Sequence, residues 1–256
     1  MDDKVFRIDK VNDDITLVQR KSGLTFGTDA YLLYAYVRSH GKGSIGVDLG
    51  AGSGIISLLL ANKGKLSKIY AVEVQKEYSE LVSLNAEQNR LSERVISVNA
   101  DVCKLSAEDI GGEADAVFTN PPYMKAQSGK ENLCDEKNIA RREVLATIDD
   151  FCACGARLLK YGGAFYAVYR PERLAELLYS MKKSGIEPKR LTFVCPDAFT
   201  RPSLVLVEGR KGGGEGLFAT APLIMHKDTS AKPLEDTEDL KYIYVNGEFD
   251  EKYRKL

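Results

Sequence analysis

The amino-acid sequence predicts an α/β protein built on a doubly wound, mostly parallel sheet of seven strands whose last strand runs antiparallel. Three observations carry this. From residue 45 onward, apolar β-rich runs alternate with stretches of helical periodicity. A glycine-rich turn, Asp48-Leu-Gly-Ala-Gly-Ser-Gly54, closes the first run. Glu73, Asp101 and Asn120 follow the next three, so polar chemistry gathers at the carboxyl edge of one sheet.

The elements follow in order. Ile45–Leu49 is the first strand, and Ile55–Asn62 continues from the glycine turn as a helix. Lys68–Val74 is β-rich. Lys76–Arg90 carries Tyr78, Leu81, Val82 and Ala86 at roughly helical spacing. Arg94–Val98 is a short strand leading to Asn99-Ala-Asp101. Ala114–Thr119 is a strand halted by Asn120-Pro-Pro-Tyr123. The polar segment Met124–Asn132 reads as a mobile loop. A helix is expected from about Glu143 to Leu159, closed by Tyr161-Gly-Gly163. Ala164–Tyr169 is a strand, and Pro171–Ser184 a helix with proline in its first turn and Gly185 just past its end. Arg190–Cys195 and Ser203–Glu208 are joined without a helix, which suits an antiparallel edge.

Residues 1–40 form an N-terminal extension, with β-like Ile15–Arg20 and an apolar helix from Tyr31 to Val37. Residues 41–210 form the sheet domain. Residues 211–256 form a C-terminal extension, Gly-rich over 211–216 and polar over 227–240, expected to pack loosely until Tyr242–Val245.

Composition narrows the class. Of 256 residues, 44% are hydrophobic and 29% charged, an ordinary globular balance. The most apolar stretch, Ile55–Ala61, is too short to cross a bilayer, so no membrane span is expected. The start, Met1-Asp-Asp-Lys4, lacks a secretion signal, and the expected location is cytoplasmic. The five cysteines (Cys103, Cys134, Cys152, Cys154 and Cys195) and two histidines (His40 and His226) show no zinc spacing. Reduced thiols and no metal are expected. A net charge of −1 does not advertise nucleic-acid binding, which needs only a local basic face.

Gly50, Gly52 and Gly54 let the backbone approach a ligand and adopt positive φ. Asp48 stands before the first glycine. A phosphate gains nothing from negative charge there, whereas a sulfonium carrying an amino-acid ammonium does. Glu73 is placed to accept both hydroxyls of a ribose, as NAD or S-adenosylmethionine would equally require. Asp101 can accept from an adenine amino group, or can cap the turn before Cys103.

Asn120-Pro121-Pro122-Tyr123 falls beside that loop. As structure alone it is a rigid turn. Chemically, an exocyclic amine on an aromatic ring is a poor nucleophile because its lone pair is delocalised. The Asn120 side-chain oxygen and the Pro121 carbonyl can accept its two N–H groups and hold it toward tetrahedral geometry. The prolines keep the loop rigid, and Tyr123 can stack on the flat target. Methyl transfer would be direct and in line, with no covalent enzyme intermediate.

These motifs resemble class I methyltransferases of the Asn-Pro-Pro-Tyr group. The closest resemblance is to the bacterial tRNA(valine) adenine-N6 methyltransferases, which act in the anticodon loop. It includes Gly23-Leu-Thr-Phe-Gly-Thr-Asp-Ala30 before an apolar helix, the Asp48–Gly54 loop, and Arg141-Arg142-Glu143, and spans about residues 10–210. It implies a Rossmann-like methyltransferase sheet, S-adenosylmethionine as cofactor, and Thr28 and Asp29 lying over that cofactor. Thr28 and Asp29 read equally as a helix N-cap. Arg141 and Arg142, with Lys125 and Lys130, are candidate RNA contacts. So are Lys182-Lys183, Lys189-Arg190 and Arg201, although such pairs are usually solvated faces.

Alternatives remain. A glutamine N5-methyltransferase acting on a protein would share the cofactor site, but about 40 residues before the glycine loop leave no room for the helical domain such enzymes carry. An rRNA, DNA or small-molecule methyltransferase is another. A nucleotide-binding dehydrogenase is opposed by Asp48 and the Asn-Pro-Pro-Tyr turn. A non-catalytic RNA-binding module is opposed by the intact motif.

Overall fold

The protein is represented by a computed structural model, which describes residues 5–21, 27–122 and 146–254. Tyr123, Lys125, Lys130, Arg141, Arg142 and the segment Met124–Asn132 lie outside the described residues.

The chain opens with a hairpin, β1 (Phe6–Lys10) and β2 (Thr16–Arg20), then a helix, α1 (Thr28–Tyr36). Alternation follows: β3 (Ile45–Leu49), α2 (Ile55–Lys63), β4 (Lys68–Val72), α3 (Lys76–Gln88), β5 (Val95–Val98) and β6 (Ala114–Thr119). Next come α4 (Ile148–Leu158), β7 (Leu159–Tyr169), α5 (Leu174–Lys183), β8 (Ile186–Cys195) and β9 (Leu204–Lys211). The chain ends with β10 (Phe218–Ala219), β11 (Leu223–Ile224) and α6 (Glu238–Asn246).

Seven long strands lie in the order β8-β9-β7-β6-β3-β4-β5, with β10 and β11 pairing along β8. Strands β5, β4, β3, β6 and β7 run parallel. β9 is antiparallel to both β7 and β8, the direction expected. Its place is not an edge, however. It is inserted between β7 and β8. Its run Leu204-Val-Leu-Val207 is apolar without alternation, the pattern of a strand covered on both faces.

Side-chain alternation sorts the core onto two faces. Ala116 and Phe118 of β6, and Tyr166 and Val168 of β7, meet the face covered by α1 and α2. Val117, Phe165, Ala167 and Tyr169 meet the other, under α4 and α5. α4 begins at a capping box. The Thr147 hydroxyl accepts from the Asp150 N–H, and the Asp150 carboxylate accepts from the Thr147 N–H.

The N-terminal hairpin does not join the main sheet. Two asparagines four residues apart, Asn85 on α3 and Asn89 at its C-cap, replace a neighbouring strand for it. Asn85 accepts from Val18 N–H (2.7 Å) and donates to Val18 C=O (3.0 Å). Asn89 accepts from Thr16 N–H (3.0 Å) and donates to Thr16 C=O (2.7 Å). The fully buried Asn85 amide also donates to Ser53 C=O in the glycine loop (3.0 Å). Asn85→Ala would leave three buried backbone groups unpaired. The expected loss is about 3 kcal/mol, read by urea unfolding.

The C-terminal segment departs from the expected loose packing. Leu240, Ile243, Phe249 and Tyr253 are buried in the same core as α1 and α2. The Phe249 ring meets Tyr36 edge-on at 5.3 Å. A few apolar residues in a polar stretch gave no periodic signal, yet these four are buried, while Tyr242 and Val245 are exposed.

Arg190, a candidate phosphate contact, belongs to this junction and not to the surface. It is 1% exposed. Its guanidinium lies 3.8 Å over Tyr36, donates to the Tyr36 and Tyr253 carbonyls (both 2.9 Å) and pairs with buried Glu208 (2.8 Å). Arg38 and Arg210 complete the Glu208 carboxylate at 3.1 and 3.0 Å. Lys182 and Lys183 pair with Glu187 and Asp149 at the surface.

Candidate active site

The turn from β3 into α2 is held from below. Gly50 and Ala51 donate their N–H groups to the Val72 carbonyl at the end of β4 (2.9 and 3.0 Å). Gly50, Gly52 and Gly54 have φ of 76°, 56° and 86°, the left-handed region that favours glycine. At Gly54 a Cβ would sit 3.3 Å from both methyls of Val82, so the loop also packs tightly on α3.

Glu73 joins this loop to the following turn. One carboxylate oxygen accepts from Gly52 N–H (3.0 Å) and the other from Gln75 N–H (2.9 Å). Each oxygen keeps acceptor capacity, because an ionised carboxylate offers about four lone-pair sites.

Strand register places the catalytic turn. Thr119 of β6 pairs with Leu49 of β3, and its hydroxyl donates to the Leu49 carbonyl at 2.8 Å. The next residues, Asn120 and Gly50, therefore leave adjacent strands at one level. One cleft is lined by Gly50, Glu73, Asp101, Asn120 and Pro122, while Pro121 is buried. Asp101 also performs the turn role: its carboxylate accepts from Cys103 N–H at 2.9 Å.

Asp29 reaches the cleft from α1. Its carboxylate accepts from the Asn120 side-chain amide at 3.0 Å and from Ala30 N–H at 2.9 Å. The helix N-cap is Gly27, so Thr28 and Asp29 are first-turn residues and neither is the cap. Thr28 is exposed.

Asp48 does not line the cleft. It is 1% exposed under the loop, with one oxygen accepting from the Ser57 hydroxyl at 2.7 Å. Its other oxygen has no hydrogen-bond partner among the described residues. Burial pushes its carboxyl up to about 7, against the opposing pull of Ser57. The folded protein therefore holds a proton there that the unfolded chain gives up. That stabilisation is complete below about pH 4 and lost by about pH 7.

Sequence reasoning missed the apolar walls: Val74, Val102 and Phe151. Phe151 reads as one member of the α4 core stripe. Its proximity to Gly50, where a Cβ would lie 3.4 Å from its ring, is purely tertiary. Neither histidine lines the cleft. His40 bonds Tyr166 (3.2 Å), burial lowering its pKa to about 4, and His226 bonds Asp236 (2.9 Å).

A mostly parallel sheet with one inserted antiparallel strand, a glycine loop after β3, an acid after β4 and an Asn-Pro-Pro turn after β6 together define a methyltransferase. Residues 22–178 match the methyltransferase small domain, and the chain belongs to that family.

Curated relatives are similar over most of their length. A tRNA1(Val) (adenine(37)-N6)-methyltransferase from Porphyromonas gingivalis is 25% identical over 197 residues, 75% of this chain and 76% of that protein. One from Shigella boydii is 30% identical over 220 residues, 78% of this chain and 86% of that protein. A solved structure from Agrobacterium tumefaciens, described as a predicted O-methyltransferase, superposes with a TM-score of 0.69 at 23% identity, over 87% of this chain and 98% of that one. The Thermus thermophilus 16S rRNA N2 G1207 methyltransferase, solved with AdoMet and guanosine, gives 0.55 at 19% identity, over 81% and 51%. These structural likenesses show a shared fold.

Proposed function

We propose that this protein transfers a methyl group from S-adenosylmethionine to the exocyclic N6 of an adenine in the anticodon loop of a tRNA, in the cytoplasm. One observation carries the chemistry: Asn120 lines the same cleft as Gly50 and Glu73. The adenine and tRNA assignment is supported by the relatives similar to this chain, named for tRNA1(Val) and adenine 37.

The cleft fits the cofactor. Glu73 retains acceptor sites for a vicinal diol. Val74, 41% exposed beside it, offers an apolar wall for a flat base with Val102 and Phe151. Asp101, in the same cleft, would accept from the adenine amino group. The unpartnered buried oxygen of Asp48 supplies negative potential under the loop. When bound, S-adenosylmethionine supplies an electrophilic methyl on a cationic sulfur.

The protein's task is to prepare the amine. The Asn120 side-chain oxygen and the Pro121 carbonyl accept its two N–H groups, which turns its lone pair out of the ring plane. Tyr123 stacks on the base, and Lys125, Arg141 and Arg142 meet phosphates; all four lie outside the described residues. The nitrogen is cationic once methylated and loses its proton readily, so the absence of histidine from the described cleft is no obstacle.

The purified protein should transfer label from S-adenosylmethionine to bulk tRNA that lacks the modification, and a nucleoside digest should yield N6-methyladenosine. Label on protein, or on another atom of the base, would overturn the reading. Cofactor affinity should also follow Asp48. A cation above the loop is favoured by the ionised carboxylate, which at pH 6 must first lose its proton. Calorimetry should find binding about tenfold weaker at pH 6 than at pH 8, with the difference flattened in Asp48→Asn.

A further inference from the structure

We infer that Asp29 is a positioning residue that sets which end of the Asn120 amide faces the methyl acceptor. The inference rests on the proposed function and goes beyond it. A primary amide has an acceptor end and a donor end, and a carboxylate can only accept. The Asp29 carboxylate, 3.0 Å from the Asn120 nitrogen, therefore admits one sense of the amide alone. The oxygen is directed away from Asp29, and it is the end an exocyclic amine requires.

Asp29 is itself fixed. Its second oxygen is held by Ala30 N–H, and its charge sits in the first turn of α1, where the helix dipole favours an anion. The fixed charge also polarises the amide, making its oxygen a stronger acceptor as positive charge grows on the target nitrogen. Asn120 is anchored from the other side by the locked β6–β3 register. One side chain from the N-terminal region thus completes a turn that follows the fourth strand of the parallel core.

The test compares Asp29→Ala and Asp29→Asn with the wild type. Asp29→Ala should lower kcat tenfold or more, with the dissociation constant of S-adenosylmethionine changed less than about twofold. Asp29→Asn keeps an acceptor oxygen without the charge and should recover part of the rate. An unchanged kcat, a loss carried entirely by cofactor affinity, or an Asp29→Asn enzyme no better than Asp29→Ala would each overturn the inference.

A second readout needs no substrate. In 15N spectra the Asn120 side-chain amide, identified by its disappearance in Asn120→Ala, should be protected from solvent exchange in the wild type and lose that protection in Asp29→Ala. Unchanged protection overturns the inference. A wild-type protein that labels no tRNA would sink the substrate reading alone, and the amide spectra would still decide the role of Asp29.

Discussion

Asn120→Ala should lower kcat for methyl transfer by at least about a hundredfold while leaving cofactor affinity nearly unchanged. Removing one preorganised hydrogen-bonding group aimed at developing charge typically costs 10²–10³ in rate. Asn120 is such a group, held on one side by Asp29 and on the other by the β6–β3 pairing. The fold should tolerate the change, because the side chain is only partly buried and lies at the cleft. Initial rates with labelled S-adenosylmethionine, alongside calorimetric binding and a thermal melt, separate catalysis from folding. Asn120→Asp offers a useful contrast. It keeps an acceptor but sets two carboxylates against each other at Asp29, so it should also be poorly active. A kcat within threefold of wild type in Asn120→Ala would remove the amide from the chemistry.

Glu208→Ala should destabilise the protein by about 3–5 kcal/mol, the usual consequence of leaving a buried cation without its partner. Glu208 is fully buried and receives Arg38, Arg190 and Arg210. Arg38 and Arg210 are partly exposed and can turn to water. Arg190 cannot, since it is pinned over Tyr36 and between two backbone carbonyls. By comparison, removing the surface pair Lys241–Glu238 should change stability by less than about 1 kcal/mol. Urea unfolding midpoints read both. A Glu208→Ala protein as stable as the surface variant would show that the cluster contributes nothing net.

Much of the fold was legible because apolar runs and turn residues coincide. β6 spans Ala114–Thr119 as predicted, since the mostly apolar run Ala116-Val-Phe118 leads through Thr119 into Asn-Pro-Pro. The glycine loop and Glu73 were legible for the same reason. β7 was misread at its start. The helix predicted to end at Leu159, closed by Tyr161-Gly-Gly163, stops at Leu158, but the strand predicted from Ala164 already begins at Leu159. Ala114 pairs with Leu159 but Ala116 with Ala164, so Lys160–Gly163 bulges out of the ladder. Glycines there signal a bulge as readily as a helix end. Pro171 opens a 3-10 turn, Pro171–Arg173, before α5.

What escaped sequence reading depends on distant partners. Asn85 and Asn89 look like solvent-facing helix residues until β2 is laid against them. Arg190 looks like half of a basic surface pair until Glu208 and Tyr36 close over it. Asp29 was read for the cofactor or for a helix cap, and only the fold brings it to Asn120. Strand β1 was missed because its exposed Phe-Arg-Ile-Asp-Lys pattern buries nothing fully.

The insertion of β9 between β7 and β8 has a consequence for the order of assembly on the ribosome. When β8 has just left the exit tunnel, the strand that bridges it to β7 has not. Until residues 204–211 leave the exit tunnel, the Ala164–Tyr169 segment of the nascent chain presents a bare, apolar hydrogen-bonding rim, the kind that recruits foreign strands. A stalled or truncated product ending near residue 200 should therefore be a client for chaperones, although it already carries every residue of the cleft.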